Sequence, residues 1–153
     1  MTSELRDAGY CPTCGAGPAP FTALAGISTT GFTVQSDWTG DGTATSGATA
    51  QVETSDGAVR TRGEHVVYSF TGGSLRRQEM GVDLAGPVDL VTNLAALTLT
   101  YLDANGNATA TAGDVRTIVI SAVGQPEVQA ASFGGGRVQV MMTDSVRLRN
   151  RAK

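Results

Sequence analysis

The stretch from Arg137 to Arg151 alternates with a period of two. Val138, Val140, Met142, Asp144, Val146, Leu148 and Asn150 share one parity, and Arg137, Gln139, Met141, Thr143, Ser145, Arg147, Arg149 and Arg151 share the other. Successive side chains of a strand point to opposite faces, so this pattern predicts a long strand with an apolar face on a core and a polar face in water. A strand of this kind at the end of the chain completes an antiparallel sheet, and it constrains the fold more than any other segment. Asp144 falls on the apolar parity, which predicts a bulge or the end of the sheet at that point.

The chain has 153 residues, 41% of them hydrophobic, the size and composition of a single domain with one core of moderate volume. Only 16% of residues are charged and the net charge is −3, which argues against a broad electrostatic partner such as bulk nucleic acid or an anionic membrane surface. Twenty glycines, many threonines and alanines, and Lys153 as the sole lysine give the composition of an exported, turn-rich β protein. The sequence contains no run of 18 or more apolar residues, the length that would cross a bilayer as a helix.

Residues 1–10 form the end of a helix stopped by Gly9, and two turns are marginal alone, so the segment is expected to be the last part of a longer helix. Residues 11–63 are expected to be rich in loops, with a helical turn over Phe21 to Ala25, a strand from Gly31 to Asp37, a weak strand from Ala50 to Glu53, and a polar connection from Thr54 to Gly63. From residue 64 onward the chain is expected to form the sheet. Val66, Tyr68 and Phe70 alternate, Gly72 and Gly73 turn, and Ser74 to Met80 returns as a hairpin. Val82 to Asn93, which contains Pro87, is expected to be a crossover or short edge strand. Leu97, Leu99 and Tyr101 face one way and end at an Asn-Gly turn within Asp103 to Asn107. Val115 to Val123 is apolar on both faces, as in a central strand, and Gly134 to Gly136 turns into the last strand.

Three groups of residues carry candidate chemistry. Cys11-Pro12-Thr13-Cys14 lacks the third and fourth ligands of a zinc site, and it follows a helix rather than opening one, so it reads as a small disulfide or as two free thiols. Asp37-Trp38-Thr39-Gly40-Asp41-Gly42 places oxygens at positions 1, 3 and 5 and glycine at 6 of an EF-hand-like loop. Asp37, Thr39 and Asp41 are therefore candidate calcium ligands, with Glu53 or a carbonyl standing in because position 12 is Ala48; a plain Asx turn is the alternative. Arg147, Arg149 and Arg151 lie about 7 Å apart on one strand face, near the phosphate repeat of DNA, and form either a nucleic-acid contact or a solvated face. His65 has no partner on its own face, since Glu64 points the other way, and is expected at the surface or on an edge strand.

The pieces Leu5-Arg6-Asp7-Ala8-Gly9-Tyr10, Val66-Val67-Tyr68-Ser69-Phe70 with Gly73, Leu75, Arg76 and Arg77, Leu97, Leu99 and Tyr101-Leu102-Asp103 with Gly106, and Ser145-Val146-Arg147-Leu148-Arg149-Asn150 together resemble, in order and spacing, the PilW-like minor pseudopilins of type IV pili and type II secretion systems. The resemblance spans residues 5–10 and 64–150. It implies an α+β, type IV pilin-like fold, in which a truncated N-terminal helix packs on an antiparallel sheet of about five to seven strands. It also implies a non-enzymatic subunit that helps start or cap a pilus or pseudopilus. Its partners would be other minor pilins and the major pilin. Its place would be the inner membrane, held through the preceding helix, with the domain in the periplasm and later outside the cell. The alternative is an exported β-rich binding module for DNA, a surface or a carbohydrate.

Overall fold

The computed structural model describes residues 2–15, 20–54, 56–125 and 140–148. Its elements run α1 (Thr2–Asp7), β1 (Leu24–Ser28), β2 (Gly31–Gln35), β3 (Thr49–Glu53), β4 (Val59–Gly63), β5 (His65–Thr71), β6 (Ser74–Glu79), β7 (Val88–Val91), β8 (Leu94–Leu102), a 3-10 turn (Ala112–Asp114), β9 (Thr117–Gly124) and β10 (Met141–Arg147). The strands form three sheets. Five strands lie in the order β1-β2-β5-β6-β7, three in the order β10-β9-β8, and β3 pairs with β4 as a separate ribbon. Every pairing is antiparallel.

This arrangement overturns the expected α+β, pilin-like layout. Strands account for 49% of the structure and helix for 6%, so a helix laid over a single sheet is not the organising layer. The physical reason lies in which surfaces cover one another. α1 ends after six residues, followed by Gly9 at φ 78°. The apolar faces of the five- and three-stranded sheets instead share one core. Leu24, Phe32, Val34, Val66, Tyr68 and Leu75 come from the first sheet, and Leu94, Leu97, Leu99, Tyr101, Ile118 and Val146 from the second. Leu5 and Ala8 are fully buried in the same cluster. Residues 64–148 are correspondingly divided between two sheets rather than forming one.

Hairpin tips of the first sheet join it to the second. The β1–β2 turn presents the Thr29 carbonyl to the Leu99 N–H at 2.8 Å, and the β5–β6 turn presents the Gly73 carbonyl to the Leu94 N–H at 2.9 Å. Two amides on the outer edge of β8 are thereby paired, which makes that edge a poorer template for unwanted strand addition. Gly73, at φ 75°, adopts the left-handed conformation that this turn requires. Tyr101 adds a third link: its hydroxyl lies 2.8 Å from the carbonyls of both Ser28 and Gly31. Burial, partly offset by the bond to Ser28, pushes this phenol up to about 12.

Several expectations change at the level of single strands. Phe21 to Ala25 is not a helical turn, because Leu24 begins β1 and pairs with Val34. Thr54 to Gly63 contains β4, which pairs with β3 from Val59 onward. β5 lies in the middle of its sheet, so His65 is on neither an edge strand nor the open surface; it is half-buried, with Nε2 3.1 Å from the Ala44 carbonyl oxygen. β9 is the central strand of the second sheet.

The C-terminal strand differs most. β10 pairs with β9 in unbroken register from Met141↔Val123 to Arg147↔Thr117, so no bulge forms at Asp144. The apolar parity meets the core only at its end, where Val146 and Leu148 are buried. Met142 remains 69% exposed, and Asp144 is exposed with Oδ1 accepting the Ser145 N–H. The sheet runs past the core, and Asp144 therefore needs no interruption of the ladder. Residues 137–139 and the Gly134 to Gly136 turn lie outside the described residues.

Candidate functional site

The segment from Asp37 to Thr45 has no regular secondary structure, yet it is held in one shape by two buried carboxylates. Asp37 is fully buried; its Oδ1 accepts the Gly40 N–H at 2.6 Å and its Oδ2 the Gly42 N–H at 2.9 Å. Glu64, 1% exposed and immediately before β5, reaches into the same loop. Its Oε1 accepts the Thr39 N–H at 3.0 Å and the Thr39 hydroxyl at 2.8 Å, while Oε2 accepts the Thr45 N–H at 2.7 Å. A buried carboxylate is tolerated only when its lone pairs are filled, and here the loop's own backbone fills them.

The three calcium candidates take different partners. Asp37 and Thr39 come together, with the Thr39 hydroxyl 3.4 Å from Asp37 Oδ1. Asp41 turns to its own neighbour instead, its Oδ1 accepting the N–H of Thr43 at 2.8 Å and the hydroxyl at 2.7 Å. These bonds from Thr43 hold the Asp41 carboxyl below its ordinary value. Among the described residues, no three His, Cys, Asp or Glu side chains gather into a metal-binding group. Glu53 lies on the separate ribbon, opposite Val59. The oxygens of the sequence motif build an Asx-type loop.

The two cysteines are joined as a disulfide, with Cα atoms 5.5 Å apart. Their loop rests on the segment just described. The Thr13 hydroxyl donates to Asp37 Oδ2 at 3.4 Å, the Tyr10 carbonyl accepts the Asp37 N–H at 2.8 Å, and the Tyr10 ring packs on Trp38 with centroids 4.8 Å apart. Trp38 also carries the Arg62 guanidinium 5.1 Å from the ring centre, a cation–π contact.

Arg62 leads into a second group of charges, which sequence reasoning did not single out. Arg62 donates to Glu79 Oε1 at 3.2 Å, and the Gly63 N–H donates to the same oxygen at 2.7 Å. Arg77 reaches Glu79 Oε2 at 2.5 Å, Asp83 Oδ2 at 3.1 Å and Glu4 Oε1 at 2.6 Å. The Tyr68 hydroxyl donates to the other oxygen of Glu4. This network ties α1 to β5, β6 and β4. Burial alone would raise the Glu4 carboxyl, but the bonds from Arg77 and Tyr68 and the Arg77 charge outweigh it, and the group is held below its ordinary value. Burial and the bond to Glu4 push the Tyr68 phenol well up. The signal in the sequence was the cluster of charge in β6, Arg76, Arg77 and Glu79, but nothing local identified Glu4 as the partner of Arg77, 73 positions away.

Of the arginine candidates, Arg147 is exposed at the end of β10, opposite Thr117. Arg149 and Arg151 lie outside the described residues. No family model, curated protein or solved structure matches this chain.

Proposed function

We propose that this chain is a non-enzymatic assembly subunit, a minor pilin or pseudopilin that helps start or cap a type IV pilus or a type II secretion pseudopilus. The reading does not depend on the α+β layout, which the three-sheet architecture replaces. The observation that carries it is the rigid attachment of α1 to the β-domain. Leu5 and Ala8 are buried in the shared core, and Glu4 is clamped by Arg77 and Tyr68. A subunit incorporated through a helix must transmit position from that helix to its head, and a buried salt-bridged anchor does so better than a free linker. The pieces of sequence that resemble minor pseudopilins also converge physically. Leu5 and Ala8, Val66, Tyr68 and Leu75, Leu97, Leu99 and Tyr101, and Val146 and Leu148 all belong to one core.

In this reading the work is done by surfaces. Partner minor pilins and the major pilin would contact sheet edges and the Gly31 to Thr49 region. A helix upstream of α1 would hold the subunit in the inner membrane before the domain passes from periplasm to filament. No helix among the described residues is long and apolar enough to cross a membrane. The test is reconstitution with purified soluble domains of the other minor pilins from the same organism. A complex of defined stoichiometry supports the proposal, and its absence for every partner at concentrations near 100 µM, where weak assembly contacts are populated, refutes it.

The mostly β architecture gives a second reading its footing, an exported β-rich binding module for DNA, a surface or a carbohydrate. That reading requires ligand binding by the isolated domain. For DNA, it requires a steeply salt-dependent affinity that is lost when Arg147, Arg149 and Arg151 are replaced by alanine.

A further inference from the structure

We infer that Asp37 guards the Cys11–Cys14 disulfide against attack by thiols, making the disulfide a kinetically protected clasp that keeps residues 10–14 seated on the 37–42 loop. The Sγ of Cys11 lies 3.4 Å from Asp37 Oδ2. In the disulfide this sulfur carries no proton, so the approach is a contact between sulfur and carboxylate rather than a hydrogen bond. Asp37 is fully buried and anchored by the Gly40 and Gly42 amides, so the carboxylate is held beside the sulfur.

Thiol–disulfide exchange proceeds through anions at both ends. An external thiolate attacks one sulfur, forms a mixed disulfide with it, and expels the other cysteine as a thiolate that then takes up a proton. A second thiol resolves the mixed disulfide, so two thiols are oxidised to one small disulfide as the protein disulfide is reduced to two thiols. Attack at Cys11 brings an anion toward Asp37. Attack at Cys14 expels the anion at Cys11, again beside Asp37. Both routes therefore place negative charge against a fixed carboxylate in a partly desolvated setting. The consequence reaches beyond the disulfide. Pro12 and Thr13 sit against Gly40, and Tyr10 against Trp38, so opening the clasp would free the support of the whole loop.

The guard acts through charge, and the test reads charge. The reduction rate of the intact protein is measured with anionic mercaptoethanesulfonate and with cationic cysteamine, each divided by its rate on a small uncharged disulfide. The expected cysteamine-to-sulfonate ratio is about tenfold or more. Asp37→Asn should bring the ratio close to that of a neutral site, whereas Asp103→Asn, which removes a charge from the turn after β8, should leave it unchanged. A neutral phosphine reductant reports any loosening of the loop in Asp37→Asn separately, because loosening accelerates all reductants alike. A ratio near one in the unmodified protein overturns the inference, as does a high ratio that persists in Asp37→Asn.

Discussion

The β8–β9–β10 sheet and the region around the 37–45 loop are held together in different ways. In the sheet, whose one register shift lies at the far end of β8 between Leu94 and Ala96, apolar side chains from adjacent strands line up: Tyr101, Ile118 and Val146 in one row, and Leu99 beside Ile120 in the next. Around the loop, five carboxylates do the organising, each accepting a backbone N–H, with Asp41 taking that of Thr43. Asp37 takes those of Gly40 and Gly42, Glu64 those of Thr39 and Thr45, Glu79 that of Gly63, and Asp83 that of Glu79. Hydrophobic burial is non-directional and acts on the whole domain at once, whereas a carboxylate saturated by particular amides specifies one loop shape. Damage to the sheet core should therefore spread, and damage to the loop should stay local.

The largest effect is expected from Ile118→Ala. Ile118 is fully buried between Tyr101 and Val146, and the cavity left by its removal should cost about 3–4 kcal/mol, seen as a fall of roughly 10 °C in Tm with faster amide exchange across both large sheets. Next comes Glu64→Gln, which turns an amide donor toward an N–H and should cost about 2–3 kcal/mol. Its increased exchange should concentrate at Thr39 and Thr45. If the two variants produced the same pattern of exchange, the distinction between the regions would fail.

A smaller change is expected when Cys11 and Cys14 are both replaced by serine. A bridge across so short a loop contributes about 1–2 kcal/mol, and exchange should rise in residues 10–14 and 37–42 while the β8–β9–β10 sheet is unaffected. The smallest effect is on pH dependence, and two groups on α1 oppose each other. The Glu4 carboxyl is held below its ordinary value of 4.5, so its contribution to stability is complete above that pH and is lost as pH falls through the folded-state value. The Asp7 carboxyl is raised above 3.8, by burial first and by Glu4 against the opposing Arg62 charge, so its ionisation opposes folding as pH rises past 3.8. Denaturant unfolding across pH 3 to 7, spanning about the carboxylate range, should show Glu4→Gln flattening the acid limb and Asp7→Asn steepening the rise.

The same division explains how much could be read from the sequence. β2, β5 and β8 were legible because alternation of apolar and polar residues is a local record of which face is buried, β6 because it returns from the Gly72-Gly73 turn, and β9 because a run apolar on both faces marks a central strand. Phe32 and Val34, Val66 and Tyr68, and Leu97, Leu99 and Tyr101 all face the core as the alternation requires. β4 was not legible, since Val59-Arg60-Thr61-Arg62-Gly63 belongs to a ribbon that buries almost nothing and so carries no periodic signature. β10 was legible as a strand, but not where the core would stop covering it. The layer order was misread because alternation reports that a face is covered and not what covers it. Asp37 was found for the chemistry of its spacing, yet its partners, and the role of Glu64, depend on contacts that no local pattern records. The Glu4–Arg77 tie was missed for the same reason.

The proposed role is that of an assembly subunit working through an α1 anchored to its β-domain. It is tested most directly by counting surface filaments, or secreted substrate, in the native bacterium after deletion of the gene and complementation with the full-length wild-type gene or its Arg77→Ala form. Loss of filaments or secretion on deletion, restored by the wild-type gene and restored poorly by Arg77→Ala at equal protein level, is the predicted result. Filaments and secretion unchanged by the deletion would rule that role out.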